Sequence, residues 1–104
     1  MASESNTKDR FVVTALWETS PGEEEAVAAI LSRFAPRARE EAGVEHFVIH
    51  RSRSNPSHFL FYEVFKDEAA FMAHQQTPHF KSLIAGEALP KLARRERVQY
   101  AILA

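Results

Sequence analysis

The chain has 104 residues, with 13 basic and 14 acidic side chains and a formal charge of −1 when histidine is neutral. That length fits one domain, and the absence of cysteine removes disulfides, thiolate nucleophiles, iron–sulfur clusters and cysteine-based zinc sites together. Near-neutral charge argues against a dedicated nucleic-acid binder, because the one basic cluster, Lys91, Arg94, Arg95 and Arg97, is diluted by Glu87 and Glu96.

Residues 1–9 are polar and without periodicity, and the expectation is a disordered leader ahead of a single domain over 10–104. No run approaches the roughly 20 apolar residues of a membrane span, so the expected setting is the cytoplasm, away from any membrane. Phe11 to Glu18 is β-branched and aromatic and predicts a strand covered on both faces, with Phe11, Val13, Ala15 and Trp17 on one of them. Ser20-Pro21-Gly22-Glu23 turns into a helix with acids in its first turn. Val27, Ile30, Leu31, Phe34 and Ala38 form its apolar stripe. Pro36 predicts a kink or break, and Gly43 a C-cap after an end near Ala42.

Val44 to Arg53 and His58 to Lys66, joined by Ser54-Asn55-Pro56-Ser57, predict a hairpin. Asp67 caps a short helix to Gln76, and Thr77-Pro78 starts another reaching about Ala85. A last strand over Arg97 to Leu103 completes the order β-α-β-β-α-β, the α+β, ferredoxin-like arrangement with helices on one face of a four-stranded antiparallel sheet. With both strand faces apolar, the second face is expected to be buried by another copy in a homodimer.

Three scattered glycines, Gly22, Gly43 and Gly86, exclude phosphate and dinucleotide loops. No G-x-S-x-G elbow is present. His46 and His50 share a strand face but stand roughly 13 Å apart at about 3.3 Å per residue. His74 and His79 straddle the Thr77-Pro78 break at a spacing unlike a helical metal pair, so no metal site is expected. What remains is Glu63 on the aromatic strand with Phe59, Phe61 and Phe65, followed by His74 and His79. A carboxyl at a core-like position has a raised pKa unless paired, and one that meets His74 in an apolar pocket could orient it as a base. On the residues alone, Glu63 could equally lie at a solvated sheet edge, and either histidine could be structural.

The stretch from Glu63 to Lys81, with its Glu-to-His spacing followed by Thr77-Pro78-His79-Phe80-Lys81, resembles the antibiotic biosynthesis monooxygenase family, in particular its quinol monooxygenase-like members. The likeness covers nearly all of Phe11 to Leu103. It implies a dimeric α+β barrel that oxygenates quinols, anthrones or polycyclic phenols with molecular oxygen, without flavin, haem or metal. Carried over residue by residue, it implies His74 as base or anion-stabilising donor, Glu63 as its orienting partner and His79 as a secondary polar contact. Phe61, Phe65, Phe71, Phe80 and Trp17 become the apolar lining around a small aromatic substrate. The sequence departs from the haem-degrading branch, with no Asn in the first strand and Ile84 where that branch has His. Two alternatives stay open: processing of a small phosphorylated signalling sugar, with Arg51, Arg53 or Lys81 as phosphate ligands, and a non-catalytic dimeric ligand-binding module.

Overall fold

The computed structural model describes residues 7–104. Of the leader expected over 1–9, residues 1–6 lie outside the described residues, and Thr7–Asp9 form one 3-10 turn closed by a hydrogen bond from the Arg10 amide to the Thr7 carbonyl.

Strand β1, Phe11–Thr19, alternates as expected. Val13, Ala15, Trp17 and Thr19 are buried on the face toward the helices, whereas Leu16 points the other way and is 51% exposed. Gly22 follows with φ +87°, a conformation that L side chains rarely adopt, and turns the chain into helix α1, Glu24–Arg39. The predicted stripe is the buried one, with Val27, Ile30, Leu31, Phe34 and Ala38 all under the helix. The expected break at Pro36 is absent. Both Pro36 and Ser32 are solvent-exposed, so the Ser32 carbonyl that Pro36 cannot serve faces water. The helix also ends three residues earlier than Ala42, and Gly43 is not a left-handed cap. A Cβ on Gly43 would stand 2.4 Å from that of Ala70, so this glycine is required by the close passage of the second helix.

Strands β2, Val44–Arg51, and β3, His58–Phe65, form the predicted hairpin. Asp67 caps helix α2, Glu68–Gln75, its side chain accepting from the Ala70 amide at 2.9 Å. Thr77 then joins two segments: its hydroxyl donates to the His74 carbonyl at 2.8 Å and accepts from the Phe80 amide at 3.2 Å. The segment beyond, Phe80–Ala88, winds as a π-helix, a form that apolar spacing does not announce. Strand β4, Leu92–Ala101, starts five residues before the expected position. Its first half, Leu92-Ala93-Arg94-Arg95-Glu96, carries three charged side chains in a row, because the strand lies at the sheet edge and is almost wholly exposed.

The sheet order is β2-β3-β1-β4, antiparallel throughout, with the hairpin strand β3 inserted between β1 and β2. This is the ferredoxin-like α+β fold. The larger core cluster joins Trp17, Phe34, Phe47, Phe59 and Phe61 between sheet and helices, and a smaller one joins Val13, Phe65 and Phe71. The opposite sheet face carries Leu16, Val48, Leu60, Tyr62, Val98 and Tyr100, all exposed. No helix among the described residues is long and apolar enough to cross a membrane.

Candidate active site

Register places the site. Ala15 of β1 lies opposite Phe61 on β3 and Arg97 on β4, and Val13 lies opposite Glu63. Glu63 and Arg97 therefore share the helix-facing side of the sheet, diagonally across β1. Between this side and the helices is a cavity of about 280 Å³. Trp17, Phe61, Phe71, Phe80 and Ile84 supply apolar wall, Phe34 and Phe47 close it, and Glu63 and His74 are polar groups within it. Along β4 the boundary is made of the exposed side chains Arg95, Glu96 and Arg97, which form the mouth.

The structure brings His74 and Glu63 to the same cavity but does not hydrogen-bond them to each other. The carboxylate that orients His74 is Glu41, whose Oε1 and Oε2 lie 2.9 and 3.1 Å from Nδ1. The orienting role expected of Glu63 is thereby corrected. Because α1 stops at Arg39, the chain turns back through Glu41 beside α2, while Glu63 stays on the sheet facing the cavity. A carboxylate only accepts, so Nδ1 carries the proton and Nε2 is left as a lone pair.

His79 does not line the cavity. It lies in a separate surface hollow with Arg33 and Arg37, and its Nε2 donates to Glu41 Oε2 at 2.6 Å. Phe65 is also displaced from its expected place in the lining. It is fully buried one step along β3, packed on Phe71 at 5.3 Å and on the His74 ring at 5.2 Å. Trp17, Phe61, Phe71 and Phe80 do line the cavity. The cations considered for a phosphate, Arg51, Arg53 and Lys81, do not, and Arg51 instead pairs with Glu25 at 2.8 Å.

Two ionisable groups are strongly affected by this environment. Glu63 is 7% exposed, and no side chain among the described residues hydrogen-bonds its carboxyl. Burial raises its pKa to about 8, with Glu41 adding to the rise and Arg97 opposing it. At neutral pH it is therefore mostly a carboxylic acid, able to donate a hydrogen bond into the cavity. His74, 3% exposed, is pushed below the ordinary histidine value, chiefly by burial. Glu41 pulls the other way, and His79 and Arg97 reinforce the lowering. The site thus holds a neutral imidazole with its lone pair at Nε2 and a neutral acid. No group of three or more His, Cys, Asp or Glu side chains among the described residues is placed to hold a metal ion.

The chain as a whole is similar to several known proteins. The family model of the antibiotic biosynthesis monooxygenases matches residues 8–86. The solved structure of a provisionally named antibiotic biosynthesis monooxygenase from Bacteroides thetaiotaomicron superposes with a TM-score of 0.87 at 26% identity, over 95% of this chain and 94% of that one. A Pseudomonas aeruginosa protein, PA3566, does so with a TM-score of 0.84 at 28% identity, over 96% and 100% of the two chains. An uncharacterized Synechocystis protein, sll1783, is 29% identical over 76 residues, 73% of this chain. The chain spans about half the length of that curated relative, 52% of it. By fold and by sequence alike, the chain belongs to the antibiotic biosynthesis monooxygenase family.

Proposed function

We propose that the cavity binds a small hydroxylated aromatic, a quinol, anthrone or related phenol, and that the chain oxygenates it with molecular oxygen using the substrate's own electrons. The observation that carries this reading is the His74 imidazole, tied to Glu41 at Nδ1 and left with a lone pair at Nε2 on the wall of an aromatic cavity. Such a group is a general base, and the neutral Glu63 acid beside it is a donor for the oxyanion that proton removal creates.

In this scheme Nε2 takes the acidic proton of the substrate, and the resulting anion passes one electron to dioxygen. The substrate radical and superoxide join through a new C–O bond, and the peroxide takes the proton back from His74. Loss of water then leaves one oxygen atom on carbon. The other departs in the water, and all four electrons come from the substrate. Arg97 and Arg95 at the mouth favour the anion. The cavity, about 280 Å³, is nearly twice the roughly 150 Å³ that holds a benzene ring, so two fused rings fit within it and a third projects past the arginines.

The exposed apolar sheet face supports a second part of the reading, a homodimer packed sheet on sheet. Oxygen uptake on a panel of hydroquinones and anthrones, corrected for autoxidation, tests the chemistry. The expected result is uptake above background that falls by about 10²- to 10⁴-fold in His74→Gln. Uptake unchanged by that substitution overturns the assignment of the base.

A further inference from the structure

We propose that Glu41 and His79, neither of them in the cavity wall, form a clamp that fixes the tautomer and orientation of His74, with His79 acting as a positioning residue through Glu41. The inference rests on His74 being the reacting group.

Glu41 lies just beyond the end of α1, its amide donating to the Ala38 carbonyl and its carbonyl accepting from the Val44 amide, both at 3.1 Å, and its side chain keeps only 14% of its exposure. A carboxylate so withdrawn from water needs more than one donor to offset its lost hydration. Two imidazoles provide them: His74 Nδ1 spans both oxygens at 2.9 and 3.1 Å, and His79 Nε2 meets Oε2 at 2.6 Å. The two histidines are five residues apart, which on one regular helix would turn them away from each other. The Thr77 link between the end of α2 and the next segment is what lets both rings reach one carboxylate. Phe34 of α1 lies 5.8 Å from each ring and limits how either can turn.

The consequence is a division of labour. Without His79, Glu41 has one neutral partner and a path to solvent, and its hold on the Nδ1–H of His74 is loosened. The titratable and charged groups around the clamp are Arg33 and Arg37 of α1 beside His79, and the Glu63 acid and Arg97 on the cavity side of His74.

The test is long-range ¹⁵N NMR of the histidine rings in protein free of substrate, titrated with pH, for the wild type, His79→Ala and His79→Gln, with His74 assigned by its disappearance in His74→Gln. Wild type is expected to show His74 as a single Nδ1–H tautomer. His79→Gln, whose amide can still donate to Glu41, is expected to keep it. His79→Ala is expected to lose it, and its His74 titration to move downward, because the upward pull of Glu41 that is loosened outweighs the opposing influence of His79. In turnover, His79→Ala is expected to lower kcat by up to about 10²-fold, with KM within twofold, and Gln is expected to restore most of it. An Ala variant with the wild-type tautomer and titration, or a folded Gln variant that loses the tautomer as fully as Ala, overturns the clamp. Because the ring spectra need no substrate, a clamp that behaves as expected in a protein that consumes no oxygen would refute the oxygenase reading alone.

Discussion

Replacing Glu63 by Gln should make the protein more stable at alkaline pH and leave it nearly unchanged near pH 5. Gln has the shape of the neutral acid but cannot ionise. In the unfolded chain Glu63 ionises around 4.5, whereas in the fold its pKa is about 8. The sign follows from proton counting. Below 4.5 both states hold the proton and there is no penalty; between the two values only the folded state holds it, so stability falls as pH rises and levels off above about 8. At 1.36 kcal/mol per pH unit that interval corresponds to on the order of 5 kcal/mol. The assay is urea denaturation of wild type and variant at fixed protein concentration from pH 5 to 9, where effects of other titrating groups cancel in the difference. The expected difference grows with pH in favour of Gln up to about 8 and levels off beyond it. A difference that is flat across the range would refute the claim that Glu63 is buried, unpaired and neutral.

Gly43→Ala forces a Cβ against the Ala70 Cβ, a contact that no flexible side chain can relieve. Its expected cost is about 1–3 kcal/mol in the same denaturation experiment. Asp67→Ala removes the acceptor for the Ala70 amide at the start of α2 and should cost about 1 kcal/mol; Asp67→Asn should recover most of it. Leu60→Asp puts a charge in the middle of the exposed apolar sheet face. In light scattering after size exclusion, wild type is expected at twice the mass of the chain and this variant at the mass of one chain.

Local patterning made most of the fold legible. The β1 alternation, the α1 stripe and the Asp67 and Thr77 caps each state their element in a few adjacent residues. Two boundaries were not legible for physical reasons. The end of α1 depends on where the chain must turn to meet α2, and the first half of β4 is a strand whose exposed side chains carry no apolar alternation. The site was half legible. Strand alternation brings Glu63 and Phe61 to one face, and the spacing from Phe71 to His74 carries both to the buried side of α2. Glu41 was hidden, because a glutamate in an acidic stretch after a helix has no local signal that it turns inward. Arg97 was visible only as a member of a basic cluster, since its place at the mouth comes from pairing with Ala15 across the sheet. The displacement of His79 from the cavity follows from Glu41 too, because the carboxylate that takes His74 Nδ1 takes His79 as well.

The central claim is that His74 starts an oxygenation in which the substrate itself reduces dioxygen. Reaction under ¹⁸O₂ with a two-ring hydroquinone tests it most directly, with the product analysed by mass spectrometry and hydrogen peroxide measured alongside. The account predicts one labelled oxygen atom in the product, no stoichiometric peroxide, and loss of both labelling and oxygen uptake in His74→Gln. An unlabelled quinone with equimolar peroxide, or labelling that persists in His74→Gln, would contradict it.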